Sequence, residues 1–188
     1  MHKPLVVYVS GAPGSGKTTL AKKLSEELYI PYVSSDLIHS GVRRTAGERI
    51  DRKKSFHEVY IPHLLHLASA GVSYVVEQVL QKGISELSVI EPLKKVATVI
   101  YVHTMAEAAV DRQLARELAR TDRGKVLNDD ELRAMADYHK NNLWRTEQAL
   151  DLDIPTIIVH TDDGYKPDLE HILDSIERFH YNSTTKES

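Results

Sequence analysis

Gly11-Ala12-Pro13-Gly14-Ser15-Gly16-Lys17-Thr18 is the stretch on which the reading of this chain turns. A short apolar run, Leu5-Val6-Val7-Tyr8-Val9, precedes it, and a helical pattern follows from Thr19 to Leu28, with Leu20, Ala21, Leu24 and Leu28 at helical spacing. Strand, glycine-rich loop and helix in that order turn backbone N–H groups inward around a phosphate, and the helix N-terminus adds its positive end. The glycines allow close backbone approach. At this spacing the lysine, Lys17, reaches β- and γ-phosphates, and the Thr18 hydroxyl can ligate Mg²⁺. Gly11, Ala12, Pro13, Gly14, Ser15, Gly16, Lys17, Thr18 and Thr19 are therefore the expected nucleotide-holding segment.

Composition sets bounds around that segment. The 188 residues predict a single domain over 1–188, with a lid segment at about 112–140. At 41% hydrophobic and 27% charged, the chain can bury a core and has an ordinary polar surface. A net charge of −3 argues against a broad non-specific nucleic-acid surface, although a local basic cleft stays open. There is no cysteine, which excludes disulfides, thiolate chemistry and Cys-ligated zinc. The apolar run before the loop is too short for a signal peptide, and no stretch approaches the ~20 apolar residues of a membrane span. The expected location is the cytoplasm.

Strand and helix patterns alternate along the chain. Ile30 to Val33 reads as a second strand ending at Ser34-Ser35-Asp36. Leu37 to Asp51 has no clear pattern but begins a locally basic stretch. Ser55 to Ala70 reads as a helix that Pro62 can kink or restart. Ser73 to Val76 is a third strand ending at Glu77, Ile84 to Lys95 a helix with a break near Pro92, and Val96 to Val102 a fourth strand. Ala106 to Arg120 and Asn128 to about Leu150 are helices. Thr156 to Val159 is a fifth strand, Asp168 to Phe179 a last helix, and Asn182 to Ser188 a polar, frayed tail. This alternation predicts an α/β fold, a parallel sheet with helices on both faces. Ligands then sit at the carboxyl ends of the strands, where Ser10/Gly11, Asp36, Glu77, His103 and His160 fall.

Asp36 is placed to accept a proton from an attacking hydroxyl or to hold Mg²⁺; the same residue type also suits a helix N-cap. Glu77 can order Mg²⁺ or its waters, or contact the acceptor. Arg112, Arg116, Arg120 and Arg123 follow the fourth strand, the first three spaced by four along one helix face. Arg112 and Arg116 are the better placed to close over a triphosphate and neutralise transition-state charge. That spacing also suits a solvated face paired with Asp111 and Glu117. Arg43, Arg44 and Arg49 are candidates for an anionic acceptor. Three histidines on one helix, His57, His63 and His66, lack a third acidic ligand at helical spacing and make a poor metal site. Tyr138, His139 and Trp144 read as packing or lid contacts.

Taken together these residues resemble the small P-loop kinases, the nucleoside-monophosphate-kinase-like group. Within it they are most similar to the branch of polynucleotide 5′-hydroxyl kinases, chloramphenicol phosphotransferase and zeta toxins. The loop from Gly11 to Thr19, Asp36 in Ser34-Ser35-Asp36-Leu37, the pair in Asp111-Arg112-Gln113-Leu114-Ala115-Arg116, and Val75-Val76-Glu77-Gln78 carry the resemblance. Gln78 stands where the zeta toxins have glycine. The resemblance implies a three-layer P-loop NTPase fold with a five-stranded parallel sheet and a helical lid, using ATP and Mg²⁺. It implies Lys17, Asp36, Arg112 and Arg116 as catalytic residues, Thr18, Asp36 and Glu77 around the metal, and Asp36 and Glu77 toward the acceptor. Arg43 and Arg44 are expected at the acceptor from their position after Asp36 alone, since Leu37 to His57 matches no substrate signature of the family. Motifs of GTPases and transporter ATPases are absent, and the chain is short for a typical AAA+ machine with its lid domain.

The sequence therefore reads as an ATP-dependent phosphotransferase moving the γ-phosphate to a hydroxyl of a small-molecule or nucleotide-like acceptor. Two alternatives stand beside it: a polynucleotide 5′-hydroxyl kinase, and a nucleotide-binding regulatory ATPase without an acceptor.

Overall fold

The computed structural model describes residues 3–46, 51–82, 86–119, 128–143 and 146–185. Five parallel strands form one sheet: β1 (Leu5–Gly11), β2 (Tyr32–Ser34), β3 (Tyr74–Glu77), β4 (Thr98–Met105) and β5 (Thr156–His160), in the order β2-β3-β1-β4-β5. The described helices are α1 (Lys17–Glu27), α2 (Ser35–Ala46), α3 (Arg52–Ser55), α4 (Ile61–Ser69), α5 (Glu91–Val96), α6 (Ala109–Ala119), α7 (Asp129–Asn142) and α8 (Leu169–Thr185).

β1 is buried along its whole length, which is why its sequence is an unbroken apolar run rather than an alternating one. Its side chains still alternate between layers. Val7 and Val9 pack with Leu20 and Leu24 of α1 and with Ile172 and Ile176 of α8. Val6 and Tyr8 pack on the other face with Leu64 of α4 and Leu93 of α5. Edge strand β5 alternates as a half-covered strand should, with Ile157 and Val159 inward. The first crossover leaves β1 to one side and β4 lies on the other, so a crevice opens at the carboxyl end of β1.

Several boundaries differ from the sequence reading, each for a local reason. β4 runs on from Val102 to Met105, in register with β5 as far as His160. His103 therefore sits inside a strand, not at its end, and is buried. α6 starts at Ala109 and not at Ala106; the Asp162 carboxylate accepts from Glu107 N (3.1 Å) and Ala108 N (3.3 Å) just ahead of it. α7 opens on a capping box between Asn128 and Glu131 and stops at Asn142, short of Leu150. Leu150 and Leu152 beyond it are buried in the core as irregular chain. The last helix continues through Asn182 to Thr185 in place of a frayed tail.

Pro62 and Pro92 act alike. Each is near the start of an α segment preceded by a five-residue π turn, Phe56–Tyr60 and Glu86–Ile90. A proline ring clashes with the carbonyl four residues back in an α-helix, and a wider turn relieves that clash. No described helix is long and apolar enough to cross a membrane.

Candidate active site

The loop between β1 and α1 is held from outside by two side chains, Thr104 and Thr161. Ser15 Oγ and Thr104 Oγ1 lie 2.6 Å apart, and the Thr104 hydroxyl donates to the Ser10 carbonyl at 3.1 Å. The Thr161 hydroxyl donates to the Ser15 carbonyl at 2.9 Å. Gly14 must be glycine: its φ is +85°, and a Cβ there would stand 1.9 Å from the Ala109 carbonyl oxygen. The loop is thus pressed against the start of α6. Gly16, the residue before α1, has no side-chain cap, and the first turn of α1 carries no acid, which leaves the positive end of the helix to an anion.

Two chambers flank this loop. The first, about 430 Å³, is bordered by Gly14, Gly16, Lys17, Thr18, Thr19, Arg112, Arg116, Thr161, Gly164 and Tyr165. It is the expected donor side, and Thr161, Gly164 and Tyr165 join it from the segment after β5. Arg112 is not a loose cation there. Its guanidinium donates to the Thr161 carbonyl and the Asp162 carbonyl, both at 3.0 Å, and faces the Asp162 carboxylate at 3.8 Å. The Glu107 and Ala108 N–H groups, with Arg112, hold the Asp162 carboxyl below the usual carboxylate range. Arg116 donates to Gln113 Oε1 at 2.6 Å, and Gln113 in turn donates to Glu117 at 3.1 Å.

The second chamber, about 660 Å³, lies across the loop tip. Asp36, His39, Lys53, Phe56, His57, Tyr60, Glu77, Gln78, Gln81 and Tyr138 are among its walls, with Pro13 of the loop. Asp36 is in the first turn of α2, but it is not the cap: the Leu37 N–H meets Ser34 Oγ at 3.4 Å. Glu77 is buried, and its carboxylate is already engaged. Oε2 accepts from Tyr32 Oη at 3.1 Å and Ser34 Oγ at 3.4 Å, and Oε1 lies 3.9 Å from Lys17 Nζ. Burial pushes the Lys17 ammonium pKa down and Arg116 adds to that shift, while Glu77 and, behind it, Asp36 oppose it.

The structure thus gathers Lys17, Thr18, Arg112 and Arg116 on one side and Asp36 and Glu77 on the other. Arg43 and Arg44 are exposed and do not border the second chamber. Arg49, Arg120, Arg123 and Trp144, and the side chain of His139, lie outside the described residues. Lys53, Phe56, His57, Gln78 and Tyr165 border the chambers without having been singled out for them. Only Gln78, as the residue after Glu77, carried a positional signal. Among the described residues no group of three His, Asp or Glu side chains could hold a metal ion. His103 belongs to the core: Tyr101 Oη lies 2.7 Å from Nδ1, and Nε2 donates to the Glu147 carbonyl at 3.1 Å, with burial pushing its pKa down.

The AAA_33 family model, described as an AAA domain, matches residues 6–142, from β1 through α7. The chain belongs to the AAA_33 family. A search of curated proteins finds no match. Among solved structures, the AAA_33 chain is similar to a candidate kinase from Chloroflexus aurantiacus J-10-fl at 19% identity and a TM-score of 0.71, covering 95% of this chain and 99% of that one. It is similar to a gluconokinase from Sinorhizobium meliloti 1021 at 15% identity and a TM-score of 0.61, with 100% of each chain covered. A sugar kinase from Janibacter sp. HTCC2649 matches at 18% identity and a TM-score of 0.53, covering 95% and 94%. At these identities the likeness carries the fold, which is that of the small P-loop kinases.

Proposed function

We propose that this AAA_33 protein is a phosphotransferase that moves the γ-phosphate of ATP to a hydroxyl of a small-molecule acceptor held beside Asp36. One observation carries the reading. The phosphate loop is the shared wall of two chambers, with Gly14 facing the donor side and Pro13 the other, and a carboxylate stands at the far side of that wall. The kinase descriptions of the structural neighbours support the same class of activity.

ATP occupies the first chamber, its phosphates on the loop amides and Lys17, its nucleoside end toward Arg112 and the segment from Thr161 to Tyr165. Asp36 takes the proton of the acceptor hydroxyl as that oxygen attacks the γ-phosphorus, and ADP leaves. Arg116 faces the charge that spreads over the transferring group. Glu77 positions Lys17 instead of contacting the acceptor directly. Mg²⁺ fits the hard oxygen donors available, the Thr18 hydroxyl and the Asp36 carboxylate, and when bound it neutralises charge on the β- and γ-phosphates. α6 and α7 form the lid.

The test is a panel of hydroxyl compounds incubated with γ-labelled ATP, with transfer read against bare hydrolysis. Asp36→Asn should lower transfer by roughly 10²–10⁴-fold, the range for a positioned base, and leave the affinity for ATP measured without Mg²⁺ unchanged. Undiminished turnover in that variant would remove the base from the scheme. Hydrolysis with no transfer to any compound would favour a regulatory ATPase.

A further inference from the structure

Two aromatic side chains reach the Asp36 chamber from separate elements. Phe56 comes from the π turn ahead of α4. In a turn closed by a bond from Ile61 N to Phe56 O, residues four apart nearly superpose, and Phe56 stacks on Tyr60 with centroids 5.4 Å apart and planes at 26°. His57 meets the Phe56 edge at 5.2 Å. Tyr60 is 1% exposed, so one face of Phe56 is backed by core and the rest of the ring is a fixed wall of the chamber. Tyr138 comes from α7 in the lid. It is 64% exposed, yet it borders both this chamber and a cavity of about 110 Å³ next to it.

The chamber floor is fixed as firmly. Gln78 Oε1 accepts from the buried Tyr8 hydroxyl, the Gln78 N–H donates to the Val9 carbonyl at 3.2 Å, and the Leu80 N–H donates to Ser10 Oγ at 2.7 Å. With its oxygen engaged by Tyr8, the Gln78 amide has N–H groups to offer an occupant. An aromatic wall, an aromatic cover and one oriented donor suit a flat molecule. A saturated polyol laid there would leave the ring faces of Phe56 and Tyr138 without a stacking partner.

We infer that the chamber beside Asp36 takes a planar, ring-bearing alcohol: the ring lies on Phe56 under Tyr138, and an oxygen or nitrogen acceptor on it receives the Gln78 amide. The fate of the hydroxyl rests on the phosphotransferase reading; the ring site does not.

The experiment uses the full chain saturated with a non-hydrolysable ATP analogue, so that the donor chamber is filled. The probes are benzyl alcohols bearing amide, carboxylate or hydroxyl groups, each paired with its cyclohexylmethanol counterpart, together with gluconate. Binding is read by ligand-observed NMR titration. The tightest benzyl alcohol is expected to bind at least tenfold better than its saturated partner and than gluconate. Tyr138→Ala, with the melting temperature measured alongside, should weaken it roughly tenfold, the scale of one aromatic contact. Phe56→Leu should do the same. Equal binding of aromatic and saturated partners, no binding of any benzyl alcohol, or indifference to Tyr138→Ala overturns the ring site. Label transfer from ATP is measured separately. Ring binding without transfer supports the ring site and counts against the phosphotransferase. Transfer to gluconate in preference to every ring alcohol upholds the phosphotransferase and overturns the ring site.

Discussion

Lys17 Nζ lies 3.9 Å from Glu77 Oε1, with both side chains less than a tenth exposed. The lysine that we propose meets ATP is thus already engaged, by an acid on the neighbouring strand and by the Ala12 carbonyl at 3.5 Å. Two buried charges taken from water recover that cost only through each other and their hydrogen bonds, and Glu77 has such bonds from Tyr32 and Ser34.

Removing the acid should therefore be expensive. Glu77→Gln is expected to lower unfolding stability at pH 7 by about 3 kcal/mol, the lower end of the cost of orphaning a buried charge. Phosphates would supply the missing countercharge. ATP at 100 times its Kd should restore up to about 2.7 kcal/mol by linkage. Urea titrations of wild type and variant, with and without ATP, read both quantities. A loss under ~0.5 kcal/mol, the size of an ordinary surface change, would show that the pair does little in the free protein.

High pH should unfold the protein through its tyrosines. Burial raises the Tyr8, Tyr60 and Tyr74 hydroxyl pKa values, and Tyr32 is pushed up to about 12. Above the ordinary tyrosine pKa of about 10, the unfolded chain releases protons that the folded chain keeps. Stability then falls as pH rises through that point and toward the folded values. Tyrosinate absorbance for these buried residues should appear together with the loss of far-ultraviolet dichroism above pH 10. Their ionisation well before unfolding would contradict this account.

Gly14→Ala tests the contact between loop and lid. The substitution places a Cβ against the Ala109 carbonyl at a positive φ, so the loop or the start of α6 must move. A stability loss of about 1–3 kcal/mol is expected from backbone strain, with ATP affinity falling in parallel. Calorimetric titration with ATP is the direct measurement. Unchanged affinity would mean that the loop does not need its packing on α6 to hold phosphate.

Arg112 and Arg116 should separate in kinetics. Arg112 is anchored to the segment after β5, so Arg112→Ala is expected to weaken binding of adenosine as well as ATP, by roughly tenfold for a lost hydrogen-bonded cation. Among the described residues, Arg116 is tied to Gln113 in its own helix. Arg116→Ala should lower kcat by about 10²-fold, as for loss of a donor to transition-state charge, with adenosine affinity intact. Identical effects of the two substitutions would merge their roles.

The strand, loop and helix start of the proposed phosphate half were legible in the sequence because they are contiguous. One strand, one loop and one helix start hold Gly11 to Thr19 in place, and the α/β alternation placed the other strand ends nearby. Arg112 and Arg116 were legible as a spacing, but the anchoring of Arg112 was not, since its partners Thr161 and Asp162 lie far along the chain. The acceptor side was hidden for the same reason. Asp36, Phe56, Gln78 and Tyr138 come from four segments, and no local pattern joins them. The cations nearest Asp36 in sequence, Arg43 and Arg44, point the reading to a part of α2 that does not reach the chamber, whereas Lys53 does. Pro62 signalled a disturbed helix without revealing that the disturbance aligns Phe56 over Tyr60.

Gly14 and Pro13, neighbours in the chain, border opposite chambers. A single compound can therefore reach both. Adenosine joined through a polyphosphate bridge to an alcohol for the Asp36 chamber would cross at the loop tip, and its second half would bind as if at millimolar local concentration. A ladder of such bridges, differing by one phosphate, would measure the path that the phosphoryl group itself must travel.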